Sequence, residues 1–217
     1  MKPPVAKSAS KGGKPPAASP KRAAAKGAPN ARHEVRIVGG QWRRSLLPVA
    51  DKPGLRPTPD RVRETLFNWL GQDLSGWRVL DAFAGTGALG FEAASRGAAE
   101  VLLMEQDAAL VTSLNASRIR LKAEAVLRVQ RGDALAWLRG AAPQSLELVL
   151  LDPPFDSVLL APALLAAARV VVPDGFVYVE SGEALAEPLP DGLVLYRQGR
   201  AGAVHHALLQ RVAEQPA

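Results

Sequence analysis

The segment that most constrains the fold is an apolar strand pattern that leads directly into a glycine-rich turn and a helix pattern. Residues 79–90 have the sequence VLDAFAGTGALG, in which Gly85, Gly87 and Gly90 have the spacing G-x-G-x-x-G. Glycine lets the backbone approach a ligand closely, and the first turn of a helix offers unpaired N–H groups. The segment therefore predicts the first unit of an open α/β sheet that binds a nucleotide-like ligand.

From Trp77 onward, apolar strand patterns alternate with helix patterns across short loops. The sequence predicts strands near 78–83, 100–105, 125–130, 146–151 and 176–181, and helices near 87–96, 107–121, 133–139 and 157–170. This alternation is typical of a parallel sheet with helices on both faces. Beyond residue 182, segments 193–197 and 204–211 flank a turn at 199–202, which predicts a terminal antiparallel hairpin.

A second motif, Asp152-Pro153-Pro154-Phe155, follows the apolar run 146–151. The prolines have no N–H to donate to a sheet, so the strand ends there and the loop is stiff. The loop offers a carboxylate, free carbonyl oxygens and an aromatic face, which suits a planar ligand that carries an amino group. Taken alone, the motif is equally consistent with a turn that ends a strand.

Acidic residues recur at the ends of successive predicted strands, and they decide which ligand the glycine turn suits. These residues are Asp81, Glu105, Asp133 and Asp152. The glycine spacing alone also predicts a nicotinamide dinucleotide. Asp81, however, would repel a pyrophosphate and can bind an ammonium group, while Glu105 can accept from both hydroxyls of a ribose. The row of acids favours S-adenosylmethionine, which is cationic at sulfur and amine and has no phosphate.

Charge is unevenly distributed along the 217 residues. Residues 1–33 hold eight Lys or Arg and no acid, whereas residues 34–217 hold 19 basic and 21 acidic side chains. The first segment is rich in Lys, Pro, Ala and Gly, which predicts a disordered basic tail. That tail is either solvating chain or a weak tether for RNA. The predicted organisation is thus the tail 1–33, an arm and helix over 34–75, and a ligand-binding domain over 76–217.

The composition excludes several kinds of chemistry. The chain has no cysteine, which rules out disulfides, cysteine-ligated zinc and a thiolate nucleophile. His205 and His206 are adjacent in a predicted strand and point to opposite faces, so they do not form a metal pair. The sequence shows no secretory signal and no apolar run long enough to span a bilayer. We therefore expect a cytoplasmic protein without a metal.

The arm that precedes the sheet is basic. Segments 35–38 and 45–49 predict two short strands, and a helix is predicted with Thr58 as its cap and Gly71 at its end. Residues 34–64 carry seven Lys or Arg and four acids, with Trp42 among them. This composition predicts either an element that faces RNA or a solvated hairpin that covers a sheet edge.

These motifs together resemble class I methyltransferases. In particular, they are similar to the bacterial family that methylates the exocyclic N2 of one guanine in 16S ribosomal RNA. The similarity extends over most of residues 35–182 and includes the glycine turn, the segment MEQD at 104–107 and the D-P-P-F motif. The block RPTPDRVRETLFN at 56–68 narrows the resemblance to this family.

The resemblance implies an α/β, Rossmann-like class I methyltransferase fold. We expect a mostly parallel seven-stranded sheet with helices on both faces, a terminal antiparallel hairpin and a small N-terminal β arm. The implied cofactor is S-adenosyl-L-methionine. The implied partner is 16S rRNA, within an assembling or assembled small ribosomal subunit, and we expect a monomer that binds neither metal nor membrane.

The resemblance also implies roles for individual positions. Asp81 and the glycines would hold the methionine end of the cofactor, Glu105 the ribose and Asp133 the adenine. The full set of expected cofactor contacts is Asp81, Phe83, Gly85, Thr86, Gly87, Glu105, Gln106, Gly132, Asp133, Ala134 and Asp152. The expected catalytic loop, which holds the target base, is Asp152, Pro153, Pro154 and Phe155. The expected RNA contacts are Arg43, Arg56, Arg61 and Arg63.

Three other functions stay open at this point. A similar loop serves methyltransferases of DNA bases and protein amides, although the short arm and the lack of a separate target-recognition domain disfavour DNA. A chain of this fold can also bind RNA without catalysis. The third is a dinucleotide oxidoreductase, which would bind a nicotinamide cofactor and not the sulfonium compound.

Overall fold

A two-stranded arm and one helix precede the main sheet. The computed structural model describes Met1 and residues 34–52, 58–155 and 157–212. The predicted basic tail, apart from Met1, and the predicted RNA contact Arg56 lie outside these described residues. The elements of the arm are β1 (Glu34–Arg36) and β2 (Leu46–Pro48), which pair antiparallel, and α1 (Asp60–Trp69). The two short strands and the helix predicted for this part of the chain are confirmed.

A seven-stranded sheet forms the centre of the molecule. Its strands are β3 (Arg78–Asp81), β4 (Glu100–Glu105), β5 (Leu127–Arg131), β6 (Leu146–Leu151), β7 (Val171–Ser181), β8 (Leu193–Ala201) and β9 (Val204–Arg211). The strand order is β5-β4-β3-β6-β7-β9-β8, with the first five parallel and β9 antiparallel to both of its neighbours. The predicted sheet and its terminal hairpin are confirmed. The direction of winding reverses between β3 and β6, and open sheets of this kind bind ligands at that point.

Helices cover both faces of the sheet, as predicted. They are α2 (Ala88–Ser95), α3 (Ala108–Arg120), α4 (Ala134–Gly140) and α5 (Leu160–Val170). One hydrophobic cluster joins α1, α2, α3 and the arm to the face of the sheet that carries Leu150 and Tyr178. A second cluster joins α4 and α5 to the opposite face, which carries Leu151 and Val179. Side chains alternate between these two faces along each strand.

The start of α1 differs from the prediction. Thr58 was expected to cap this helix, but the cap residue is Pro59 and no side chain caps the first turn. The Thr58 carbonyl instead accepts a hydrogen bond from Arg63 Nη1 at 2.5 Å, and its side chain lies beside Glu180. The expected end of the helix is confirmed, since Gly71 follows it with a left-handed φ of 88°.

Two further boundaries differ near the C-terminus. The strand β7 begins at Val171, five residues before the expected start, because α5 leads into it without a loop. The hairpin turn is also tighter than predicted, since β8 continues through Ala201 and pairs with Val204. Within the described ranges, no helix is long and apolar enough to cross a membrane.

Candidate active site

A cavity of about 660 Å³ lies where β3, β4, β5 and β6 end. The structure brings most of the predicted site residues to its wall. These are Asp81, Phe83, Gly85, Thr86, Glu105, Gln106, Gly132, Ala134, Asp152, Pro153, Pro154 and Phe155. The sequence did not indicate that Lys52, Thr58 and Leu159 also line it. The glycine turn and the D-P-P-F loop lie far apart in the sequence, but they line the same cavity.

Two predicted cofactor residues are absent from this wall. Gly87 is the cap residue of α2, with a left-handed φ of 79°. A Cβ atom there would lie 2.6 Å from Leu114 and 2.7 Å from Phe91, so glycine is required for packing. The side chain of Asp133 caps α4 by accepting from the Ala136 N–H at 3.0 Å. Asp133 therefore positions its neighbours Gly132 and Ala134, which do line the cavity.

Asp81 is a deeply buried acid on the side of the cavity formed by the glycine turn. Its side chain is 2% exposed, and Oδ2 accepts from the Gly90 N–H at 3.0 Å. Burial raises the pKa of Asp81 to about 7, helped by the charges of Glu105 and Glu180, while the N–H groups of Gly90 and Phe83 act in the opposite direction. A carboxyl group in this state gains strongly from a cationic ligand.

Glu105 connects the end of β4 to two other elements. Its Oε2 accepts from the Gly85 N–H at 2.9 Å, and its Oε1 accepts from the Asp107 N–H at 2.9 Å. The carboxylate thus holds both the glycine turn and the start of α3. Each oxygen still has a lone pair, so the group can also accept from a diol in the cavity.

The D-P-P-F loop forms the opposite wall. The Pro154 carbonyl accepts from the N–H and the hydroxyl of Ser157, which closes the loop into a turn. Phe155 is 44% exposed, so its ring is accessible to a planar ligand. Burial raises the pKa of Asp152 well above its usual range, and the charges of Glu180 and Asp81 add to this.

Glu180, a buried acid next to the cavity residue Asp152, was not among the residues predicted from the sequence. It lies on β7 beside Asp152, is 2% exposed, and accepts a hydrogen bond from Tyr178 Oη at 2.9 Å. The sequence does contain a pattern that points to Glu180: in segment 177–180, valines alternate with Tyr178 and Glu180. A glutamate within a strand that is buried on both faces is rare unless it is paired, so it indicates a polar site.

The buried position of Arg63 contradicts one of the predicted RNA contacts. Its side chain has 0% exposure and lies between the arm, α1 and α2. The guanidinium donates to the carbonyls of Thr58 and Arg36, and its Nε lies 3.7 Å from Glu92 Oε1. The prediction that Arg63 contacts RNA is wrong, because no part of its side chain reaches the surface. Arg43 and Arg61 are exposed and stay candidates.

The charge of the cavity wall distinguishes between ligands. Asp81, Glu105 and Asp152 contribute three carboxyl groups. Among the lining residues of the described ranges, Lys52 is the single base, and it is paired with Asp107. This wall fits a ligand with an ammonium or sulfonium group and opposes a pyrophosphate. The same ranges contain no group of three or more His, Cys, Asp or Glu arranged to hold a metal ion.

Known proteins resemble this chain over nearly all of the described region. The family described as conserved hypothetical protein 95 matches residues 35–210. Ribosomal RNA small subunit methyltransferase D of Escherichia coli is 43% identical over 185 residues, which span 83% of this chain and 92% of that protein. The protein of the same name from Haemophilus influenzae is 39% identical over 186 residues, 84% of this chain and 96% of that one. The solved structure of a putative methyltransferase from Escherichia coli has a TM-score of 0.74 at 39% identity, with 84% of this chain and 100% of that chain covered.

Proposed function

Because the chain belongs to the family described as conserved hypothetical protein 95 and is a methyltransferase, we propose that it transfers a methyl group from S-adenosyl-L-methionine to RNA. The proposed acceptor is the exocyclic N2 of one guanine in 16S ribosomal RNA. The observation that carries the proposal is one acidic cavity with the glycine turn on one wall and the D-P-P-F loop on the other.

The cofactor side of the cavity supports the proposed methyl donor. S-adenosylmethionine supplies an electrophilic methyl group on a sulfonium. Asp81 accepts from its ammonium group, and Glu105 accepts from its ribose hydroxyls. Gly132 and Ala134 lie at the end of β5, where the absence of large side chains leaves room for a flat adenine ring. The acidic wall is the main argument against a dinucleotide.

The acceptor side supports an amino group as the nucleophile. The lone pair of a guanine amino group is delocalised into the ring, so the group is a weak nucleophile. Hydrogen bonds from this group to Asp152 and to the Pro153 carbonyl localise the lone pair. They also aim it along the line of attack, and such positioning contributes many powers of ten in rate. Phe155 stacks on a base that has left its helix.

The relatives supply the substrate class. Two of them are named for methylation of small-subunit ribosomal RNA. The exposed guanidinium groups of Arg43 and Arg61 are proposed to contact the phosphates of this RNA. A monomer acting on an assembling or assembled small subunit fits the nearly neutral charge of residues 34–217, because ribosomal proteins can then contribute to docking.

The proposal is tested with radiolabelled S-adenosylmethionine and three substrates that lack the modification. These are naked 16S RNA, assembled small ribosomal subunits and duplex DNA. We expect label in RNA or subunits, and digestion of the product to nucleosides should yield N2-methylguanosine from one position. Label in DNA, on another atom of guanine or in protein would contradict the proposal. Tight cofactor binding without label in any substrate would indicate a binding module.

A further inference from the structure

Two strands place a second carboxyl group beside Asp152. In the pairing of β6 with β7, Leu151 is opposite Val179. The next residues, Asp152 and Glu180, therefore follow on neighbouring strands about 4.8 Å apart. Because side chains alternate along a strand, both lie on the sheet face that carries Tyr178. Two acids so close cannot both ionise easily.

Three side chains around Glu180 favour its charged form against the effect of burial. Tyr178 donates to it from the same strand at 2.9 Å. On the side of α1, the Thr58 hydroxyl and the Arg63 guanidinium also lower its proton affinity. Burial is the largest influence on Glu180 and raises its pKa, so these three groups offset part of that cost. Thr58 itself lines the cavity, which links Glu180 to the substrate side.

The other titratable neighbours do not neutralise the pair. Asp81, which pairs in register with Leu150, lies on the same face and adds negative charge. His206 lies opposite Glu180 on β9, and its ring stacks on Trp69 at 5.4 Å. Burial lowers the pKa of His206, and so does His205, which disfavours a positive charge on the ring. Within the pair, the hydrogen bonds to Glu180 favour negative charge there, and that charge raises the pKa of Asp152.

We propose that Glu180 is a positioning residue of the methyl-transfer site that controls the charge of Asp152, so that the two carboxyl groups together take up the proton released by the acceptor amino group. This inference rests on the proposed function. In the step, the amino nitrogen forms a bond to the methyl carbon, and the bond from that carbon to sulfur breaks with its electrons left on sulfur. Asp152 is ionised at this point, which the positive charge of the bound cofactor favours, and one N–H proton passes to its carboxylate. The loss of positive charge from the cavity raises the proton affinity of the pair at the moment when the proton is released.

The test uses Glu180→Gln, which keeps the size of the side chain and removes its charge. Without the neighbouring charge, Asp152 ionises more readily. The acid limb of the pH profile of kcat should move to lower pH by about one unit, and kcat at pH 8 should fall about tenfold, with KM for RNA unchanged. Tyr178→Phe removes the hydroxyl that stabilises charged Glu180 and should shift the limb in the same direction by less. Glu183→Gln, an exposed acid three residues further on, is the matched control and should behave as wild type.

A second measurement does not depend on turnover. Calorimetry in two buffers with different ionisation enthalpies counts the protons released when S-adenosylmethionine binds. At pH 7, wild type should release more protons than Glu180→Gln, because loss of the Glu180 charge leaves Asp152, and to a smaller extent Asp81, more ionised in the variant before the cofactor binds. S-adenosylhomocysteine, which lacks the sulfonium charge, should reduce this difference.

The outcomes separate the two proposals. If wild type methylates guanine N2 but Glu180→Gln loses activity by the same factor at every pH, or both proteins release equal numbers of protons, the role of Glu180 is wrong and the proposed function stands. If wild type labels no RNA, the proposed function fails, and an unchanged proton count in the variant then removes the Glu180 inference as well.

Discussion

The two walls of the cavity hold their carboxyl groups by different means. On the cofactor side, Asp81 and Glu105 accept from main-chain N–H groups of the glycine turn and of Asp107, at 2.9 to 3.0 Å. On the acceptor side, Glu180, the neighbour of the wall residue Asp152, is held by side chains, with Tyr178 at 2.9 Å and Thr58 beside it. The cofactor side therefore depends on local backbone conformation, whereas the acceptor side depends on residues brought together by the whole fold.

Because the two walls are held differently, substitutions in them should affect different measured quantities. Asp152→Ala removes the acceptor for the amino group but leaves the cofactor wall intact. We expect kcat to fall about a thousandfold, within the range for loss of a positioned acid or base together with substrate orientation. Equilibrium titration should show that cofactor affinity falls far less than kcat, since Asp81 and Glu105 stay in place. An active Asp152→Ala enzyme would remove the D-P-P-F loop from the catalytic role.

Arg63 connects the two walls, so its loss should affect both. It donates to Thr58 on the acceptor side and lies near Glu92 in α2, which follows the glycine turn. Arg63→Met leaves the buried Glu92 with Arg96 as its remaining cationic partner, and we expect the free energy of unfolding to fall by about 3 kcal/mol. Urea denaturation measures this change. Arg61→Met, two residues away and exposed, is the control and should leave stability nearly unchanged.

Asp81→Asn tests the cofactor wall alone. The amide oxygen can still accept from the Gly90 N–H, so the glycine turn should keep its conformation. The affinity for S-adenosylmethionine should fall about thirtyfold, which corresponds to loss of roughly 2 kcal/mol for a charged hydrogen bond. Calorimetric titration measures the change, and Asp191→Asn, on an exposed turn, serves as the control. Unchanged affinity would place the ammonium group elsewhere.

The pKa of Asp81, about 7 in the free protein, gives the cofactor wall a pH dependence with a definite sign. Burial raises this pKa above its usual 3.8, so the folded state holds a proton that the unfolded chain releases between those values. Stability from this group is therefore fully present below pH 3.8 and is lost as the pH rises through 7. Denaturation should show that Asp81→Asn gains at least about 1 kcal/mol relative to wild type between pH 5 and pH 8. A parallel pH response of the two proteins would contradict the assignment.

The smallest expected effects concern RNA contacts outside both walls. Arg43→Ala and Arg61→Ala should each weaken RNA binding a few fold and lower the slope of log affinity against log salt by about one. Filter binding at several salt concentrations measures both quantities. Arg139→Ala, exposed in α4 on the opposite face of the sheet, should change neither.

The difference between the walls also explains what could be predicted from the sequence. Asp81, Gly85 and Gly90 are separated by few residues, so their geometry follows from a strand, a turn and a helix that the sequence pattern indicates. Glu180 becomes a neighbour of Asp152 through the register of β6 with β7, and no local pattern specifies that register. The parallel order of the sheet was predictable because the connections between its strands are short and helical.

Two predictions around α1, the cap at Thr58 and the RNA contact at Arg63, were wrong for the same reason: contacts between residues far apart in the sequence. Thr58 has the chemistry of a cap and precedes a proline, but its carbonyl and side chain are engaged by Arg63 and Glu180. Arg63 has the composition of a surface contact, but the carbonyls of Arg36 and Thr58 satisfy its guanidinium in the interior. Partners that are distant in the sequence override local preference in both cases.

The buried pair of Arg63 and Glu92 restricts how related chains can diverge. Both side chains have 0% exposure, so a lineage that changes one of them first must carry the other, buried charge with one partner fewer. The cost of that intermediate, about 3 kcal/mol or more, is a large part of the 5–15 kcal/mol that keeps a typical domain folded. Substitutions at the two positions should therefore be coordinated. An alignment of many homologous sequences should show them as a covarying pair that links the helix before the sheet to the helix after the glycine turn.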